Sequence, residues 1–284
     1  MQDLSRRRVL QAGLLTAVSA GLLSRTTAAQ AGTIEAHFAV PGPWAVATGT
    51  SGGHRLYHPA DLGAGGLRHP IVTWGNGTAA TPDNYPGLLN RLASWGFAVV
   101  ASTDTTTGTG TEMLAALQHL VGLDADPSSP FHGKLDVTKV AAVGHSQGAG
   151  GSVNAANLSG GLVTTVVPIA LPAPIWVSPG DAFSVAALPC PVFFMSGTSD
   201  WIISPSSAVT GYYNQAAHGA AKAMLKGAGH NDIQNTGGGF LGYLTAWLMY
   251  QLRGDALARG AFVGSPPQLL ADTAWQDQAT KGLA

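Results

Sequence analysis

The sequence predicts an α/β fold with a mostly parallel central sheet and helices on both faces. Three observations predict it. From about residue 70 onward, short apolar runs alternate with stretches of helical periodicity. Hydrophobic residues make up 45% of the 284, enough for a sizeable core. No linker rich in Pro and Gly divides the chain, so a single catalytic domain is expected over residues 32–284. The elements follow in order. Residues Ile34 to Tyr57 read as an antiparallel lead-in, and Ile71 to Trp74 as the first buried strand. Tyr85 to Trp95 reads as a helix with Leu88, Leu89 and Leu92 on one face and Gly96 as its stop. Strands are expected at Phe97 to Val100, Val140 to Val143, Val163 to Ile169 and Val192 to Met195, with Ala223 to Leu225 as the last. Helices are expected at Thr111 to Val121 and Phe240 to Leu252. The polar tail from Ser265 is expected to pack on the surface.

Charge argues against several functions. Charged residues are only 10% of the chain and the formal net charge is −1, with no basic stripe beyond the first residues. Nucleic acid is therefore not an expected partner. The nine histidines are scattered and show no zinc-site spacing, so neither a metal nor another cofactor is expected. The single cysteine, Cys190, precludes an intrachain disulfide and reads as a small buried hydrophobe. A monomer is expected. The N-terminus differs in kind from the rest. Arg6, Arg7 and Arg8 precede an apolar run from Ala12 to Leu23, followed by Thr27-Ala28-Ala29. That order is a secretory signal over residues 1–31, and the paired arginines point to the twin-arginine route and a secreted or periplasmic protein. The run has 12 residues, whereas a membrane span needs about 20, so no membrane anchor is expected.

Chemistry concentrates at Gly144-His145-Ser146-Gln147-Gly148. This G-x-S-x-G sits between a predicted buried strand and a helix of small residues, the context of a nucleophile elbow and so of the α/β-hydrolase fold. A serine hydroxyl needs a base, and the base needs an orienting carboxylate. Only His218 and His230 follow Ser146. His230, in a Gly-rich loop directly after a strand, is the stronger candidate. Between Ser146 and His230 the only acids are Asp181 and Asp200, and Asp200, in the turn after a strand, is the better orienter. His145 is expected to face away from the nucleophile. An oxyanion hole needs two backbone N–H donors. Gln147 is expected to supply one, and the Trp74-Gly75-Asn76-Gly77-Thr78 loop the other, from Thr78 or else Gly77.

At these residues the sequence resembles the bacterial polyester hydrolases, both cutinase-like and poly(ethylene terephthalate) hydrolase-like, near the dienelactone-hydrolase branch. The resemblance runs from about His69 to Leu252. It rests on Gly77-Thr78, Arg91 to Val100, Ser128 to Asp136, Val143 to Gly148 and Ala173-Pro174-Ile175-Trp176. It implies Asp200 and His230 as acid and base, and Trp176 as a substrate-stacking residue. Three positions depart from the family. Gln147 stands where it has Met, Thr78 where it commonly has an aromatic, and its C-terminal disulfide cannot form. The function expected is a serine carboxylic ester hydrolase that passes through an acyl-enzyme on short-chain esters and polyesters, aliphatic before aromatic. A serine peptidase or amidase on the same fold, or a silent exported polymer-binding form, shares most of these features. Only residues 171–189 lie between two predicted strands where lipases insert a lid, so no large lid and an open cleft are expected. Trp176 and Trp201 are expected to contact substrate there.

Overall fold

In the computed structural model, residues 33–284 are described; the predicted export signal lies outside the described residues. The strands are β1 (Val46–Ser51), β2 (His54–Pro59), β3 (His69–Gly75), β4 (Ala98–Ser102), β5 (Leu135–His145), β6 (Thr165–Ile169), β7 (Val192–Gly197), β8 (Ala220–Leu225) and β9 (Trp275–Lys281). They form one nine-stranded sheet in the order β1-β2-β4-β3-β5-β6-β7-β8-β9. Strands β4, β3, β5, β6, β7 and β8 run parallel; β1, β2 and β9 pair antiparallel at the two edges. The helices are α1 (Ile34–Ala39), α2 (Pro86–Ser94), α3 (Thr111–Ala125), α4 (Gln147–Leu158), α5 (Ser206–Gln215), α6 (Leu241–Arg253) and the single turns α7 (Ala256–Arg259) and α8 (Gln268–Ala271).

The period of two along each strand divides the core in two. Val72 and Trp74 of β3, Ala141 and Val143 of β5, and Phe193 and Met195 of β7 face α1, α2 and α6. Ile71, Val140, Ala142 and Phe194 face α3, α4 and α5. Strands buried on both faces read as continuous apolar runs, and so these were legible. On the first face Trp247 of α6 is fully buried and its Nε1 donates to Thr165 Oγ1 at 2.9 Å. Burying such a side chain contributes on the order of 2–3 kcal/mol, and the indole N–H keeps its partner.

Three elements differ from the sequence reading. The lead-in begins with a helix, α1, whose N-cap Thr33 accepts from Ala36 N–H, and only β1 and β2 make the antiparallel hairpin. Ser206–Gln215 is a helix that the sequence reading did not name. The tail packs on the surface as an edge strand: β9 pairs with β8, so β8 is not the last strand. Its register breaks opposite Lys222/Met224, and Asp277 has φ 55°. The bulge and the half-exposed edge position remove the apolar alternation that marks a strand. Trp275, buried against Phe240 and Tyr243, anchors it. Cys190 is buried as expected, and burial pushes its thiol pKa up to about 12.

Candidate active site

A parallel sheet gathers the loops that follow its strands at one end. Thr78 follows β3, Ser146 follows β5, Trp176 follows β6, Asp200 follows β7 and His230 follows β8. His218 precedes β8, which puts it at the opposite end of the sheet.

Ser146 is held in an unusual backbone state, φ 57° and ψ −120°. A non-glycine residue there costs about 1–3 kcal/mol, held in place by its surroundings. The flanking glycines supply the room. A Cβ on Gly144 would lie 2.0 Å from Gly148 O, and one on Gly148 would lie 2.3 Å from Gly75 O. The elbow therefore closes only because both positions lack side chains, and Gly148 lets α4 press onto the end of β3. The turn leaves Ser146 at the N-terminus of α4, where unpaired N–H groups favour negative charge.

The three predicted residues meet in one line. His230 Nε2 is 2.8 Å from Ser146 Oγ, and His230 Nδ1 is 2.6 Å from Asp200 Oδ2. Asp200 is buried, and its Oδ1 accepts from Ser204 N–H at 3.4 Å. With Nδ1–H donating to the carboxylate, Nε2 is left to accept the serine proton. Asp181 does not approach His230; its Oδ2 accepts from Gln147 Nε2 at 2.8 Å instead.

His145 departs from expectation. It does not face away from the site but lines the cleft floor, with its ring 4.9 Å from that of His230. Its Nε2 is 2.8 Å from the His230 carbonyl and its Nδ1 is 2.9 Å from Tyr85 Oη. Burial first, and the facing His230 second, push its pKa down to about 3, so the ring is neutral. A carbonyl only accepts, so Nε2 carries the proton and Nδ1 accepts from the tyrosine O–H. Tyr85 Oη in turn accepts from Gly77 N–H at 3.1 Å. Burial raises the Tyr85 phenol pKa, which keeps it a donor. The Gly-rich loop after β3 is thereby tied to the loop carrying His230 through two buried side chains.

This network separates the two candidate donors in the glycine loop. Gly77 N–H is already engaged by Tyr85. Among the described residues neither Thr78 N–H nor Gln147 N–H donates to another protein group, and both residues line the cleft. The cleft holds about 450 Å³. Trp176 lines it, half exposed, its Nε1 donating to Ile202 O at 2.8 Å. Trp201 is 72% exposed and is not among the cleft-lining residues, whereas Ile203, two residues on, is. Trp74 is buried, donating to Asn76 Oδ1 and packed edge-on to Tyr85. The β6–β7 connection holds only two 3-10 turns, Pro174–Trp176 and Pro179–Asp181, so among the described residues no large lid is inserted there. Asn231 and Gln234 line the cleft and Tyr85 is buried behind it, and none of the three was expected at the site from the sequence. Tyr85 reads as the opening of a helix, and Asn231 and Gln234 carry no signal beyond nearness to His230.

An elbow after β5, with an acid and a histidine delivered after later strands, makes this an α/β-hydrolase. A family model described as PET hydrolase-like matches residues 24–279, and the chain belongs to that family. It is similar to a bis(hydroxyethyl) terephthalate hydrolase of Streptomyces coelicolor, 33% identical over 42% of this chain and 40% of that protein. It is also similar to cutinase est2 of Thermobifida alba, 26% identical over 69% of this chain and 63% of that protein. Cutinase 1 of Thermobifida cellulosilytica is 27% identical over 69% of this chain and 72% of that protein. The chain thus spans 40% and 63% of the first two relatives' lengths.

Proposed function

We propose that this protein is a serine carboxylic ester hydrolase acting through an acyl-enzyme on short-chain esters and on polyester chains, aliphatic before aromatic. The observation that carries the reading is the unbroken line from Asp200 through His230 to Ser146, ending on a strained elbow. In the reaction, Ser146 Oγ attacks the ester carbonyl carbon as its proton passes to His230 Nε2. The carbonyl oxygen, now negative, accepts from the N–H groups of Thr78 and Gln147. His230 gives the proton to the leaving alcohol. Water, deprotonated by His230, then attacks the acyl carbon and Ser146 Oγ leaves with the proton.

The open cleft, with Trp176 presenting an indole face, suits an extended apolar chain. Membership of the PET hydrolase-like family, and relatives named as cutinases and as a terephthalate-ester hydrolase, support the polyester part of the reading. Residues 1–31 serve as a twin-arginine export signal, residues 32–284 as a single catalytic domain, and the mature protein works outside the cytoplasm as a monomer. No helix among the described residues is long and apolar enough to cross a membrane.

The test is turnover of 4-nitrophenyl butyrate set beside the matching anilide, with Ser146→Ala as control. Rapid ester turnover, slow or absent amide turnover, and a loss on the order of 10⁴ or more in Ser146→Ala are expected. Preferential cleavage of the anilide would move the protein to the amidases. Ester turnover that survives in Ser146→Ala would end the proposal.

A further inference from the structure

The cleft has a polar arm that the proposed reaction leaves unused. Asp181 lines it beside Gln147, Ser178 and Phe183. Its carboxylate is held in place from several sides. Oδ2 accepts from Gln147 Nε2 at 2.8 Å, and the Asp181 carbonyl accepts from Asn154 Nδ2 at 3.4 Å. The carboxyl group rests on Gly108, where a Cβ would come within 2.4 Å of Asp181 Cγ. Asn154 also donates to Gly108 O at 3.0 Å, so both walls of this arm hang on α4. Among the described residues no Lys or Arg lines the cleft and Asp181 makes no ion pair. The Gln147 side-chain amide oxygen, Oε1, is buried without a hydrogen-bond partner. The arm therefore offers acceptors and negative charge, with no cation among the described residues to offset them.

We propose that Asp181 makes this arm an anion-excluding subsite. The cleft takes uncharged ester chains, including those with hydroxyl groups, and disfavours esters that bear a free carboxylate close to the scissile bond. The proposal rests on the ester-hydrolase reading. A substrate hydroxyl can donate to a carboxylate, whereas a substrate carboxylate meets a like charge in a partly desolvated cleft. This is selection by repulsion, a use that a lone fixed charge serves well. If Asp181 were only a tether for the β6–β7 connection, it would have no reason to distinguish substrates by charge.

Asp181→Asn separates the two roles, because it keeps an oxygen for Gln147 Nε2 and removes the charge. Two pairs of probes cover both ends of the ester. The acyl-side pair is 4-nitrophenyl methyl glutarate and 4-nitrophenyl hydrogen glutarate. The alcohol-side pair is the butyrate ester of methyl glycolate and that of glycolic acid. The ratio of kcat/KM, anionic over neutral, should rise in Asp181→Asn by about fivefold or more for at least one pair, the size of one exposed charge–charge contact. In the wild type that ratio should also climb as salt is raised from about 0.02 to about 0.5 M, and this salt response should vanish in the variant. Loss of a tether alone would depress both members of a pair together. Ratios that stay put for both pairs would overturn the subsite. Absence of any Ser146-dependent turnover of the neutral esters would instead remove the ester-hydrolase reading, and the subsite with it.

Discussion

At Tyr85 a single phenolic oxygen serves two loops. It accepts from Gly77 N–H and faces His145 Nδ1, whose other nitrogen holds the His230 carbonyl. A buried hydroxyl with two partners is costly to delete, because both partners lose their bonds; such losses run at about 1–3 kcal/mol. Tyr85→Phe should therefore lower stability by about that amount in urea unfolding. It should also lower kcat on a soluble ester by about tenfold while KM changes little, since the loop next to Thr78 and the loop of His230 lose their common brace. A variant with wild-type kcat and only lower stability would reduce Tyr85 to a packing residue. At this scale the sequence was legible where chemistry dictates residue type. Ser146, Asp200 and His230 were found from chain order and loop position, and they meet within hydrogen-bond distance. Tyr85 and His145 escaped that reading because their roles depend on contacts 60 and 85 residues apart in sequence, which no local pattern records. Trp201 follows Asp200 in sequence, yet Ile203 rather than Trp201 lines the cleft, because sequence order says nothing about which way a turn residue points.

Among the elements, α4 shows how the elbow constrains packing. The helix is built of small residues, and Gly148 sits against the backbone of Gly75 and Asn76. Gly is a poor helix former, about 1 kcal/mol worse than Ala in an exposed helix interior. Gly148→Ala would thus help an isolated helix, yet its Cβ would lie 2.3 Å from a backbone oxygen that cannot rotate away. The substitution should destabilise the protein by about 2–3 kcal/mol, as overpacking does. It should also cut turnover sharply, because α4 carries the Gln147 N–H. A thermal melt and a rate on the same sample check both, and an Ala variant that melts higher than wild type would refute the packing argument. The central strands were legible because burial on both faces makes them continuous apolar runs. The edges were not. Strand β9 is half exposed and bulged at Asp277, and α1 is only six residues long, too short for helical periodicity to declare itself.

For the whole molecule, the buried histidines make acid the weak side. His145 falls to about 3 in the folded protein, and burial also lowers His69, whose Nδ1 lies 2.9 Å from Gly96 O. In the unfolded chain both return to about 6.5. Between about pH 6.5 and about pH 3 the unfolded state therefore binds more protons than the folded state. Stability is full above about pH 6.5 and falls as the pH drops, by up to about 1.4 kcal/mol per pH unit for His145 alone. Urea midpoints measured from pH 7.5 down to about 4.5 should show this decline, and a replacement of His145 by Gln should flatten it. A midpoint that holds steady over that range would contradict the neutral, buried state of His145.

Everything proposed for this cleft depends on Ser146 being a nucleophile activated by His230. The most direct measurement is labelling by a 4-nitrophenyl alkylphosphonate, followed by intact mass and peptide mapping. One adduct per chain is expected, on Ser146, forming in step with the loss of esterase activity and failing to form in His230→Ala. An active protein that takes up no phosphonate, or that carries it on a residue other than Ser146, would contradict it.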